Sequence, residues 1–415
     1  MLGWNCKRRI KERKRMIKGF FNPSELASSN TTSTISRCGM CRLYQGCHSP
    51  RMKPTGDGKL KVLIVAEAPE KTEDEKGIQL IGEAGQVLRN LLRSIGVRLD
   101  KDCWKTNVII CHPPSNKTPT DDQITACRPN LIKTIKKLKP HTIILLGMSA
   151  VKSLIPYIWK DDVGNILGKW VGWNIPSQKL NAWVCPTYHP SYLLRTKNDL
   201  LQIIVRNHLK RAFKHESKPW MEIPDYKKEV EIITRPSKAA KAIREMIRLA
   251  TPIVPDYETT CIKPEEIGAE IVSCALCQNG KRTIAYPWEA EAIDATVELF
   301  KNKIPKIGAN IKFEDRWTRR LLGFGVKGWY WDTMIAAHVL DNRSGITSVK
   351  FQSFVRVGVE GYDAHIKPYL KAKKKKRINR IKELPINDIL LYNGMDSILE
   401  WGIFKSQQKE MKRLK

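Results

Sequence analysis

The chain carries short, uninterrupted apolar runs spaced by longer mixed stretches. Lys61-Val62-Leu63-Ile64-Val65-Ala66 shows no polar alternation, as expected of a strand buried on both faces. Thr142-Ile143-Ile144-Leu145-Leu146-Gly147 reads the same way, and Asn107-Val108-Ile109-Ile110 and Ala182-Trp183-Val184-Cys185 add two more strands. Between them the pattern turns helical. One helix is predicted from Ala84 to Ile95, and another from Asp121 to Leu138 with Ile124, Leu131, Ile135 and Leu138 apolar. Strands alternating with helices predict an α/β fold around a mainly parallel sheet. Functional groups of such sheets gather beyond the carboxyl ends of the strands. Glu67, Asn107 and His189 stand at or near such ends.

A polar, proline-containing stretch, residues 214–228, reads as a linker. A second α/β unit follows, with a strand at Glu231-Ile232-Ile233, a helix from Ser237 to Leu249, and strands leading into Asp256 and spanning Glu270 to Leu276. Helical sequence closes the chain after Asp396. The expected domains are therefore residues 38–213 and 229–415, behind a tail of residues 1–37. Eight Lys or Arg and one Glu fall between Lys7 and Lys18, and a Ser/Thr/Asn-rich stretch runs from Ser28 to Ser36.

Charge narrows the partners. The 73 Lys and Arg against 42 Asp and Glu give a net charge of +31, which suits a polyanion, most simply DNA or RNA. Lys371 to Arg377 is a basic run, read as a solvated loop or a contact to a nucleic-acid backbone. No apolar run reaches membrane-spanning length, and no signal peptide is visible. Eleven cysteines in a long chain without a signal sequence point to a reducing cytoplasm and a metal or cluster site rather than disulfides.

Ile253-Val254-Pro255-Asp256-Tyr257-Glu258 places two carboxylates two residues apart, on one face of a strand, with Tyr257 facing away. Hard oxygen ligands so paired suit Mg²⁺ or Mn²⁺. Asn310-Ile311-Lys312-Phe313-Glu314 supplies a further acid. Tyr392-Asn393-Gly394-Met395-Asp396 sets Tyr and Asp four apart on one helical face. In this order the three stretches resemble the motifs of the DnaQ-like 3′–5′ exonucleases, and most closely the proofreading domain of family A DNA polymerases. Asp332-Thr333-Met334 fits as well. The resemblance implies a ribonuclease H-like fold and two Mg²⁺ or Mn²⁺ held by Asp256, Glu258, Glu314 and Asp396. It implies that Tyr392 orients the attacking water, and that Asn310 and Phe313 help hold the substrate strand. The family pattern has Asp where Glu314 stands, so Asp315 is the reserve ligand. A family A polymerase continues with a palm domain after the third motif, and this sequence stops there. A separately encoded DNA polymerase is accordingly an expected partner, in a setting such as phage replication in a host cytoplasm.

Cys38-Gly39-Met40-Cys41 gives two thiols at metal-ligand spacing, and Cys111 and Cys127 follow sixteen residues apart. Around them stand Glu67-Ala68-Pro69, Glu73-Asp74, Gly82-Glu83-Ala84-Gly85, Thr106-Asn107 through Pro113-Pro114, Cys127-Arg128-Pro129 and His189-Pro190-Ser191. This segment, about 38–210, resembles the family 4 uracil-DNA glycosylases. The resemblance implies a 4Fe–4S cluster on Cys38, Cys41, Cys111 and Cys127, with Cys47 an extra thiol nearby. It also implies a catalytic motif at Glu67, base-edge reading by Asn107, and stabilisation of the departing base by His189. Ala66 and Glu70 replace glycines of that motif, and Leu80 stands where an aromatic ring would stack on uracil. Uracil excision and DNA binding alone both remain open for this domain. Cys103, Cys185 and the Cys274-Ala275-Leu276-Cys277 pair read as core.

The expected function is a metal-dependent 3′–5′ exodeoxyribonuclease fused to a uracil-DNA glycosylase-like domain, acting on single-stranded DNA or a 3′ end. A non-catalytic DNA-binding accessory factor of a polymerase and a zinc-bound structural protein are the alternatives. An accessory factor has no need of four acids kept among so many basic residues.

Overall fold

A computed structural model describes residues 37–159, 166–372 and 377–414. The basic run from Lys7 to Lys18, the polar stretch from Ser28 to Ser36 and the centre of the Lys371–Arg377 run lie outside the described residues.

The first sheet holds β1 (Val62–Ala66), β2 (Cys103–Asn107), β3 (Thr142–Leu146), β4 (Ile175–Ser177) and β5 (Ala182–Thr187). Their order is β2-β1-β3-β5-β4, parallel except for β4. The second strand lies four residues earlier than the apolar run predicts. Asn107 is its last member, paired with Ala66, and Val108 and Ile109 are a buried loop beyond it. That loop satisfies its own backbone, because the N–H groups of Val108 and Ile109 donate to Ala66 O and Glu67 O. Burial without a strand is what made the run look like one. The helices Glu83–Arg93 and Asp121–Leu138 form close to the predicted spans, the latter opened by a Thr120–Gln123 capping box.

Residues 214–228 are strapped to the β4–β5 hairpin. The His215 ring stacks on Trp183 at 3.9 Å. Trp183 Nε1 donates to Ser217 O, Asn181 Nδ2 to Trp220 O and Gln178 Nε2 to Pro224 O.

The second sheet comprises β6 (Val230–Ile232), β7 (Ile253–Thr259), β8 (Ile271–Gln278), β9 (Arg282–Pro287), β10 (Lys306–Gly308) and β11 (Trp329–Asp332). The order is β11-β10-β7-β8-β9-β6. β7, β8 and β9 are antiparallel, while β10 runs parallel to β7, β11 to β10 and β6 to β9. Alternation decides the faces. Ile253, Tyr257, Cys274 and Leu276 pack with Ile243, Met246, Leu299 and Phe300 of two covering helices. Val254, Ala275 and Cys277 pack with Leu390, Met395, Leu399 and Phe404 of the last helix, Ile386–Leu414. Cys274 and Cys277 thus belong to opposite core layers and are both buried. Gly394 lets the last helix close on the sheet, since a Cβ there would sit 2.3 Å from Val230.

One helix joins the two halves. Val349–Val357 comes from the second half of the sequence and packs along the last helix. Yet Phe351, Phe354 and Val355, with Ile346 before them, belong to the core of the first domain. The Phe354 ring lies tilted 4.6 Å from Trp159 and the Phe351 ring tilted 5.1 Å from Trp170. Ser348 caps the helix by accepting from Phe351 N. Gly358 ends it at φ +82, where a Cβ would lie 1.9 Å from Pro176 O. Truncating Phe354 to Ala should cost about 3–5 kcal/mol. In denaturant titrations the tryptophan signal of the first domain should report the loss, although the substitution lies in the second half of the sequence.

Candidate functional sites

The carboxylates of β7 face the last helix. Asp256, Glu258 and Asp396 each offer an oxygen within 4.8 Å of the others, and no other group of three acids, thiols or imidazoles among the described residues is so close. Asn393, one turn before Ser397, fixes the strand. Its Nδ2 donates to Asp256 Oδ2 at 2.6 Å while its Oδ1 accepts from Ser273 Oγ at 2.8 Å. Ser397 Oγ donates to Val254 O at 2.6 Å. Burial first, then the Asp396 charge, holds Asp256 above the usual carboxylate range. Burial and the charges of Asp256 and Asp396 do the same to Glu258.

A cation enters from the joining helix. Lys350 Nζ donates to both oxygens of Asp396, at 2.9 and 2.8 Å, and to the Tyr392 hydroxyl at 2.7 Å. The Tyr362 hydroxyl also donates to Asp396 Oδ1. Tyr392 and Tyr362 are stacked, 6.1 Å apart, with the Lys350 ammonium over both rings.

Glu314 stays outside this triad, which corrects the expectation of one four-acid cluster. It lies in the first turn of helix Lys312–Leu322, buried, with Oε2 unpartnered. Burial, then the Asp256 charge, raises its pKa well above normal. Asp315 is engaged elsewhere, accepting from Arg319 Nε at 2.6 Å and from Val326 N at 2.8 Å. Asn310 sits at φ +60, and its N–H and that of Ile311 donate to Asp332. Asp332 also caps the helix Thr333–Leu340 through Met334 N and Ile335 N. Phe313 packs on Trp317 at 6.1 Å.

In the first domain Cys38, Cys41, Cys111 and Cys127 line one cavity together with Tyr44 and Asn130. Arg51 N–H donates to Cys111 Sγ and Asn130 Nδ2 to Cys127 Sγ. Burial pushes the Cys111 thiol up to about 12. Cys47 does not line the cavity, and its thiol donates to Leu43 O at 3.0 Å. Asp74 ties this region down by accepting the N–H groups of His48 and Ser49.

Glu67, Asn107 and His189 follow or end β1, β2 and β5, three strands of the parallel run. Glu67 Oε2 accepts from Ser149 Oγ at 2.6 Å. The Asn107 side chain is buried with Nδ2 unpartnered. His189 caps helix Pro190–Thr196 by accepting Ser191 N–H on Nδ1, and burial lowers its pKa to about 4. Gly147, at φ +82, lets helix Gly147–Ile158 pass the histidine, since a Cβ would lie 2.9 Å from His189 Cβ. Leu80 packs in a core layer with Ala66, Leu88 and Leu193. Glu70 opens helix Lys71–Lys76 in a capping box with Glu73.

Lys350, Tyr362, Asn393 and Ser149 were not singled out by sequence. Asn393 stands inside the third motif, and that position was its available signal. Lys350 and Ser149 belong to no pattern.

Comparison with known proteins finds a family match in each part of the sequence. Residues 53–221 match the uracil DNA glycosylase superfamily, and residues 230–412 match a 3′-5′ exonuclease family. A type-4 uracil-DNA glycosylase of Pyrobaculum aerophilum is 38% identical over 163 residues, 39% of this chain and 81% of that one. The type-4 uracil-DNA glycosylase of Thermotoga maritima is 33% identical over 180 residues, 43% of this chain and 88% of that one. A DNA polymerase of Bacillus phage SP01 is 23% identical over 342 residues, 75% of this chain and 36% of that one. The chain belongs to the uracil-DNA glycosylase superfamily, beside the type-4 enzymes, and joins to that domain a 3′–5′ exonuclease domain.

Proposed function

We propose that the chain shortens DNA from its 3′ end at Asp256, Glu258 and Asp396, while the glycosylase-like domain holds the DNA. One observation carries this reading: three carboxylates with oxygens within 4.8 Å of one another, beside the Tyr392 hydroxyl. Such an array of buried like charges is costly without cations, and hard oxygen donors suit Mg²⁺ or Mn²⁺. A divalent cation there would supply an activated water and charge stabilisation for the departing 3′-oxygen. Asp256, Glu258 and Asp396 are the ligands, and Glu314 lies outside their triad. Tyr392 aligns the attacking water, and Asn310 and Phe313 steady the terminal nucleotide. Of the described helices, none is long and apolar enough to cross a membrane.

In the first domain Cys38, Cys41, Cys111 and Cys127 hold a 4Fe–4S cluster. The four thiols line one cavity, and four cysteine thiolates are the ligand set of an iron–sulfur centre. Asn107, with a free buried donor, reads the edge of a flipped base, and Glu67 and His189 flank it. Leu80 offers no ring for stacking, so excision of uracil is weak or absent. The similarity to a phage DNA polymerase across 75% of this chain favours work beside a polymerase.

Single-stranded DNA labelled at its 5′ end should be shortened from the 3′ end with Mg²⁺, and a chelator should stop it. Asp256→Ala should lower the rate by about two orders of magnitude or more while DNA binding persists. An unchanged rate, or no metal-dependent degradation by the native chain, would favour the accessory-factor reading.

Cys111→Ser should remove the brown visible absorption of the purified protein and lower the melting temperature of the first domain, because cluster binding is coupled to folding. A colourless native protein carrying zinc would contradict the cluster.

The pH dependence has a defined sign. His189, His208 and His215 are all lowered by burial from 6.5 to about 4. Between those values the unfolded chain binds the protons and the folded chain does not, so stability is full above about 6.5 and falls as pH drops towards 4. His189→Asn should make that decline shallower in denaturant titrations across the window.

A further inference from the structure

The acidic site of the exonuclease domain already contains a cation. Lys350 bonds both oxygens of Asp396 and the Tyr392 hydroxyl, and its side chain is only 25% exposed. This is no loose surface ion pair. The helix that bears Lys350 is anchored by the next residue, Phe351, and by Phe354 in the core of the first domain. Tyr362 takes a further position on Asp396. A carboxylate has about four acceptor sites, and Asp396 commits three of them to protein donors.

We propose that Lys350 is a built-in cation of the exonuclease site, retained on Asp396, so that the cluster takes up one divalent ion instead of two. Charge supports the count. With the acids ionised, as a bound cation would hold them, three carboxylates and one ammonium carry −2, which one divalent ion neutralises and two would overturn. Two-metal hydrolysis sets its ions about 3.5–4 Å apart and needs carboxylates to hold both. Glu314, the acid left for a second ion, stays outside the triad, buried with an unpartnered oxygen. The ammonium supplies the positive charge of the missing ion beside the water-aligning Tyr392, where a phosphate would meet it. This inference rests on the exonuclease reading for its purpose, and its ion count is measured without any cleavage.

The test counts Mn²⁺ bound to the full chain with its iron–sulfur cluster, by calorimetric titration and by electron paramagnetic resonance of free Mn²⁺. The native chain should bind one ion, and Asp256→Asn should lose it. Lys350→Met should bind two, and Lys350→Arg should stay at one. Circular dichroism checks that each variant is folded. Two ions in the native chain overturn the proposal without reference to any variant. So does one ion in a folded Lys350→Met protein, or an ion that survives in Asp256→Asn. If the counts hold and no chain degrades DNA, the exonuclease reading fails while Lys350 keeps its assigned place.

Discussion

Repulsion among buried carboxylates is the constraint around which the second domain is arranged. Asp256 and Glu258 leave β7 on one face because side chains alternate along a strand, and Asp396 meets them from the last helix. Left alone, such acids would take up protons or part. Three donors offset this. Asn393 holds Asp256, while Tyr362 and Lys350 hold Asp396. Each comes from a different route through the chain, so the cluster is assembled only when the last helix, the joining helix and the sheet are all in place. A site built this way is expensive to form and well defined once formed, which suits the sub-ångström demands of phosphoryl chemistry.

The same helix makes the two domains interdependent. Its Lys350 belongs to the acidic site, and its Phe351 and Phe354 belong to the tryptophan-rich core of the glycosylase-like domain. The strap from His215 to Pro224 adds a second attachment on the same side of that domain. Two domains joined only by a polar tether would move freely. Here apolar burial across the junction sets the position of a charged group in the neighbouring acidic cluster.

Local pattern made most of the fold legible. Uninterrupted apolar runs gave β1 and β3, and the Asp-x-Glu spacing gave a strand with both acids on one face. The apolar run after Asn107 misled because burial in a loop and burial in a strand look alike in one dimension. The acids Asp256, Glu258 and Asp396 were readable because each sits in a short motif. Lys350 was not, because its meaning comes from a contact 46 residues away in sequence, made by a helix whose apolar face is buried in another domain. Glu314 was readable as an acid from its motif, but register along a helix does not fix how close its carboxylate comes to Asp256, Glu258 and Asp396, and it is buried outside that triad.

The placement of Phe351 and Phe354 also bears on how the chain comes into being. A domain made first on the ribosome ordinarily folds before the next one is complete. Here the core around Trp159 and Trp170 cannot close until residues some two hundred positions later have been synthesised. Until then the nascent first domain presents an aromatic cleft to its surroundings, a hazard for aggregation and a natural handhold for a chaperone. Dividing the gene at residues 214–228 would make that condition permanent, with the cleft on one product and its phenylalanine plug on the other.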